Sequence, residues 1–268
     1  ITGVVAKGIV EGVTVTAYKL NANGTKGDSV GAGTTNENGS YSLQLSSDYT
    51  GGPIKIEVTH KAGATMKCDL PSGCGTDGSG APVAFGDTYA LSADFKLSTL
   101  SSDLSPTDTI NVTPITTVAA KVAEKKLADL GIPGEGSDAT AAKIAITNSE
   151  IADLFGISTS GAGDLTKVPL IDITDPDELA SASADALKYA SLGPAIVEAV
   201  KAEAGNSDSI EQAITRFAED TEDGAIKGDT GDAGVTDLKE IFEATTAVLS
   251  KADEESDEPI ENLVAVQT

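Results

Sequence analysis

The chain has no Trp, a single His, a single Met and two Cys among 268 residues, and aromatics make up only 4% of it. Without Trp and with few Tyr, a sugar-stacking platform has little to be built from, although Tyr18, Tyr41 and Tyr49 remain available. Two Cys and one His do not complete a Cys/His zinc site. Basic residues are also scarce. Eighteen Lys and Arg stand against 42 Asp and Glu, giving a formal net charge of -24 and a surface that repels phosphate backbones and anionic headgroups. Nucleic acid is excluded as a partner on that ground. No apolar run approaches the roughly 20 residues that a membrane span requires.

What is present is a foldable, small-residue-rich chain: 40% hydrophobic residues and 28 Gly, enough for cores built from Val, Ile, Leu and Ala. From Ile1 to about Leu97 apolar residues alternate with polar ones. Val13, Val15 and Ala17 form one such run, Tyr41, Leu43 and Leu45 a second, Ile54, Ile56 and Val58 a third, and Tyr89 to Leu97 a fourth. Asn23-Gly24 and Asn38-Gly39 punctuate them as tight turns. Short strands between Gly-rich turns predict an antiparallel β-sandwich over residues 1–98. Residues 99–111 are Ser/Asp/Thr/Pro rich and read as a linker. Apolar stripes at helical spacing then predict an all-α bundle over 112–252, with Pro at the first turn after Thr113 and after Asp175, and a break at Gly193-Pro194. The fold class is therefore multi-domain α+β, with 253–268 as an acidic spacer and a strand-like tail.

Gly3-x-Val5, GIVEGVTVTAYKL (Gly8 to Leu20) and TTNENGSYSLQL (Thr34 to Leu45) resemble a carboxypeptidase-regulatory-like or transthyretin-like sandwich, similar also to the B-type repeats of bacterial surface proteins and pilins. The resemblance covers about the first third of the chain. It implies a fold, and a role as stalk, adhesin segment or fibre subunit of an exported protein, and brings no catalytic residues. VTPITTVAAKVAE (Val112 to Glu124) resembles a continuation found in such proteins.

Four local features invite function. Cys68 and Cys74 flank a short loop and are close enough in sequence to bridge, which fits an oxidising compartment and is worth about 2–3 kcal/mol on the loop-entropy account; two free thiols are the alternative. Asp220, Asp223, Asp229 and Asp232 lie in a Gly-rich acidic loop that offers oxygen ligands to calcium, off the EF-hand spacing, or else forms a solvated turn. His60 lacks a nominated nucleophile and reads as a surface residue rather than a catalytic base. The Gly clusters at 31–33 and 73–80 do not open helices and are not phosphate loops.

The two ends read as strands in search of a sheet. Ile260, Leu263, Val264 and Val266 follow the acidic spacer Asp253 to Pro259, and Ile1, Val4 and Val5 begin the chain. A strand with no sheet at home completes a neighbour's; the alternative is a tail that folds back or stays disordered. The chain begins at Ile1 without an initiator Met, as a matured export product or a trimmed fragment does. The resulting expectation is a non-enzymatic, exported cell-surface protein. It polymerises with copies of itself by strand donation, alone or with other surface components, needs no cofactor and has no membrane span. A surface lipoprotein that binds a glycan or protein is the alternative.

Overall fold

The computed structural model describes residues 1–104, 108–131, 138–160, 164–203, 210–221, 236–256, 260 and 262. The protein is α+β, with antiparallel sheets in its first part and helices in its second. A four-stranded sheet has the order β4-β3-β6-β9, from β3 (Thr14–Leu20), β4 (Lys26–Thr34), β6 (Ile54–Thr59) and β9 (Lys96–Ser101). A three-stranded sheet has the order β2-β7-β8, from β2 (Val10–Glu11), β7 (Thr65–Lys67) and β8 (Thr88–Ala90), and β1 (Thr2–Val4) pairs with β5 (Ser40–Ser42). The helical part holds α1 (Pro114–Leu130), α2 (Asp138–Leu154), α3 (Pro176–Ser181), α4 (Ala184–Glu203), α5 (Ile210–Asp220) and α6 (Leu238–Glu254), with a short 3-10 turn at Leu165–Lys167.

Alternation places the core. Val13, Val15 and Ala17 are fully buried, as are Ile56 and Val58, which face Ala17 and Val15 across the β3/β6 register. The opposite face of the sheet carries charge: Glu57 meets Lys26 at 2.7 Å, and Lys55 meets Glu124 of α1 at 2.6 Å. Burial opposes ionisation of Glu57, but the hydrogen bond from Lys26 and the fields of Lys55 and Lys96 outweigh it and hold its pKa below the usual carboxylate range.

Helix α1 covers this sheet at β9. Thr113 caps it, with Pro114 at the first helical position. The Thr116 and Thr117 hydroxyls donate to the Ser98 carbonyl, and Ser98 N–H donates to Thr117 Oγ1 at 3.0 Å. Side-chain hydroxyls thus satisfy the outward backbone groups of an edge strand, which would otherwise invite another strand. Leu20 and Leu100 pack with Ala120, Ala123, Leu127 and Ile144 in the cluster between sheet and helices.

Several expectations change. Residues 99–111 are not a free linker: β9 continues to Ser101, and Thr109 and Val112 bridge to the first strand. The physical reason is that Leu100, Ile110 and Val112 are apolar and bury almost completely. One cluster of buried side chains accordingly runs from Ile1 through the helices to Ile260, without dividing at the anticipated domain boundary. Tyr89 to Leu97 is two strands in different sheets, separated by a turn in which Phe95 N–H donates to the Ser92 carbonyl. Gly193-Pro194 does not break the helix; Pro194 lies inside α4, and the chain breaks earlier, at Ala182. Proline costs α4 one backbone hydrogen bond, and Gly193 gives room for α1, since a Cβ there would stand 3.3 Å from Pro114 Cγ.

Candidate functional site

The residues proposed for assembly at the start of the chain lie in an internal seam. On one side β1 pairs antiparallel with β5, placing Thr2 opposite Ser42 and Val4 opposite Ser40. On the other side it runs parallel to residues 109–112, bridging Thr2 to Thr109 and Val5 to Val112. Thr2 N–H donates to the Asp108 carbonyl at 3.0 Å, Ile110 N–H to the Thr2 carbonyl at 2.8 Å, Val112 N–H to the Val4 carbonyl at 2.9 Å and Ala6 N–H to the Val112 carbonyl at 3.0 Å. The terminal ammonium donates to the Leu43 carbonyl at 3.0 Å. Ile1 and Val5 are buried, so the first strand is not a free donor: its alternating apolar side chains already face this chain's own core.

Two side chains lock the seam. Asn111, buried, accepts from Val4 N–H through Oδ1 at 3.0 Å and donates through Nδ2 to the Val168 carbonyl at 2.8 Å. The Tyr41 hydroxyl donates to the Ile110 carbonyl, and burial pushes its pKa well above the phenol range. Gly3 is required by closeness alone, because a Cβ there would lie 1.9 Å from the Ile110 carbonyl oxygen.

Beyond the seam the chain enters the interior. Lys7 and Asp69 form a buried ion pair, with side chains 0% and 1% exposed. Asp69 follows Cys68, which is bonded to Cys74 as expected. The disulfide loop docks on α4, where Glu198 accepts from Ser72 N–H at 2.9 Å and from its hydroxyl at 2.7 Å. Lys67 pairs with Asp172 at 2.8 Å. Sequence reasoning missed Lys7, Asp69 and Asn111. Lys7 did carry a signal, as the charged member of the alternating run Ile1, Gly3, Val5, Lys7, whose other members are buried.

The other candidates separate. Ile260 is buried against the helical core, its N–H donating to Asp253 Oδ1 at 3.1 Å, and Asn262 Nδ2 donates to the Ala182 carbonyl at 2.8 Å. The tail is therefore anchored at Ile260 and not free there, because an apolar side chain finds a closer home against α6; Leu263, Val264 and Val266 lie outside the described residues. Asp220 ends α5, while Asp223, Asp229 and Asp232 also lie outside. Among the described residues no group of three or more His, Cys, Asp or Glu is arranged to hold a metal ion, and no helix is long and apolar enough to cross a membrane. His60 N–H donates to the Phe95 carbonyl at 3.2 Å at the end of β6. Tyr18 lies under Lys26, whose Nζ is 4.4 Å from the ring centre. Comparison with protein-family models, with curated proteins and with solved structures finds no match for this chain.

Proposed function

We propose that this chain is a non-enzymatic structural protein of an exported cell-surface assembly, joined to copies of itself by exchange of the first strand. The observation that carries the reading is the position of residues 1–5 between two backbone ladders, β5 and 109–112. The ladders are main-chain bonds, so the same strand from a second copy satisfies them equally. The likeness of the first third to stalk and fibre modules supports the reading, and so does the disulfide, which suits an oxidising compartment. The C-terminal route has less support, because Ile260 and Asn262 are held through side-chain hydrogen bonds to Asp253 and Ala182 and not by a backbone ladder.

Sedimentation and negative-stain imaging test the proposal over a range of protein concentration. Wild type should form a concentration-dependent assembly, a variant lacking Ile1–Val5 should not, and a free peptide of residues 1–7 that refills its slot should restore its stability but not its assembly. A wild-type protein that stays a monodisperse monomer at high concentration overturns it.

A second reading, a surface binding module, is favoured by a cavity of about 440 Å³ at the end of the seam, lined among others by Ile1, Leu43, Leu45, Tyr49 and Leu104. Its volume and apolar walls suit a small ligand. Burial, helped by Asp103, pushes the Tyr49 phenol up to about 12, leaving a neutral hydroxyl that donates to the Gly52 carbonyl.

A further inference from the structure

Asn23-Gly24-Thr25, Asn38-Gly39-Ser40 and Asn111-Val112-Thr113 are the three Asn-x-Ser/Thr triplets of the sequence, the acceptor pattern for attachment of a sugar to an Asn amide. Their surroundings differ. Asn111 is 3% exposed and both ends of its amide are engaged, Oδ1 by Val4 N–H and Nδ2 on the Val168 carbonyl, while Thr113 is buried as the cap of α1. Asn23 is half-buried. Its Oδ1 accepts from Thr25 N–H at 3.1 Å and from the Thr25 hydroxyl at 2.6 Å, so amide and hydroxyl occupy each other. That turn also lies on α1, since a Cβ on Gly24 would stand 2.9 Å from the Glu124 carbonyl oxygen.

The remaining triplet is presented to solvent. Asn36 builds its turn: Oδ1 accepts from Asn38 N–H at 3.1 Å and from Ser40 N–H at 2.9 Å, and the Asn36 carbonyl accepts from Gly39 N–H at 3.0 Å. Gly39 reverses the chain at a φ of 69°. The turn is thus held by Asn36 and the backbone alone, and Asn38 stands exposed at its tip. Among the described residues neither the Asn38 carboxamide nor the Ser40 hydroxyl has a hydrogen-bond partner.

We propose that Asn38 carries an N-linked glycan, while Asn23 and Asn111 stay bare. The inference rests on the proposed export of the chain, which brings it to where lipid-linked sugars are used. The co-substrate is a sugar joined through its anomeric carbon to a lipid diphosphate, and a transferase brings the two together. Asn38 Nδ2 attacks the anomeric carbon and the C–N bond forms. The bond from that carbon to the diphosphate oxygen breaks, the diphosphate leaves with the electron pair, and Nδ2 gives up one proton to a base of the transferase. Nothing is oxidised or reduced.

Geometry separates the three acceptors. At Asn38 the reacting nitrogen gives up no internal hydrogen bond, and the hydroxyl two residues on is free for the transferase to bind. A bulky, hydrated sugar there extends into water, and the Gly39 carbonyl goes on accepting from Val5 N–H at 2.9 Å, so the first-strand ladder is untouched. At Asn111 the same sugar would enter the interior, where its hydroxyls find no partners, and would push Nδ2 off the Val168 carbonyl. At Asn23 it would have to break the contacts with Thr25 and lift the turn from α1.

Mass spectrometry of the protein recovered from the cells that make it tests the proposal, with material outside the cell collected apart from the cytoplasm. Chains from outside should exceed their sequence mass by one glycan, and fragmentation of the tryptic peptide 27–55 should place it on Asn38. Ser40→Ala keeps Asn38 and every bond of the turn but removes the hydroxyl. It and Asn38→Gln should both return the chain to its sequence mass, with circular dichroism showing both folded. Bare Asn38 in chains recovered from outside the cell overturns the proposal and leaves export standing, and a glycan on Asn23 or Asn111 in its place overturns it as well. Bare chains found only in the cytoplasm overturn both.

Discussion

Asn111→Ala reads the strength of the first-strand seam directly. In the wild type the side chain is 3% exposed and bridges Val4 N–H to the Val168 carbonyl. Truncation leaves one donor and one acceptor without partners, each worth about 1–3 kcal/mol when buried. Water admitted to the vacated space recovers part of this, so the expected loss is about 2–4 kcal/mol. With unfolding entropy near 2.1 cal/mol/K per residue, a chain of 268 residues should lose roughly 4–7 °C in Tm. Guanidinium unfolding measures the loss as a shifted midpoint at unchanged slope. Hydrogen exchange locates it: the amides of Thr2, Val4 and Val112 should lose protection beyond the global change, and those of β3 and β6 should not. Asn111→Asp sharpens the test. It keeps an acceptor for Val4 but sets a carboxylate oxygen against the Val168 carbonyl, so it should be at least as damaging at neutral pH and improve as the pH falls and the acid gains a proton to donate. A loss below about 0.5 kcal/mol for Asn111→Ala, the range of an ordinary surface change, or a loss of protection spread evenly over the sheets, would refute the assignment of Asn111 as the clamp on β1.

Other perturbations probe separate parts of the fold. Replacing both Cys68 and Cys74 by Ser should cost about 2 kcal/mol, the loop-entropy value for so short a closure, and denaturant titration with and without reductant should reproduce that difference in wild type only. Gly8→Ala and Gly63→Ala both place a Cβ at positive φ, 64° and 87°, but the first meets the Lys67 carbonyl oxygen at 2.0 Å and the second meets nothing within 4 Å; Gly63→Ala should cost about 1 kcal/mol of backbone strain, and Gly8→Ala several times that in the same unfolding assay. Glu57 has a folded pKa below its unfolded one, so its contribution is present above the unfolded value and lost as the pH falls through the folded value. The stability gap between wild type and Glu57→Gln should therefore be widest near neutral pH and close in acid, and a gap that widens in acid would contradict the ion network.

How much of this was legible depended on whether one residue faced one environment. Val13, Val15 and Ala17, like Ile56 and Val58, alternate because their strands bury one face, and periodicity reads that directly. Strand β4 has no such pattern: among its nine residues, KGDSVGAGT, only Val30 is buried, and pairing with β3 makes it a strand. Its glycines serve the chain crossing over it, since a Cβ on Gly31 would lie 2.9 Å from the Gln44 carbonyl oxygen. Residues 108–111 look like linker because one apolar residue, Ile110, is too little to show a period; the strand it meets is more than 100 positions away. Gly193-Pro194 shows the opposite failure, a strong local stop signal overridden by packing against α1. Lys7 was hidden by its chemistry, because a lysine in an inward position reads as an error until its aspartate is found.

Exchange of β1 replaces each backbone bond with an identical one, so it gains little by itself, and copies each carrying a net charge of -24 repel one another as they approach. Screening falls to about 10 Å at 0.1 M salt, so assembly by exchange should strengthen as ionic strength rises, and an assembly that loosens on added salt would count against it.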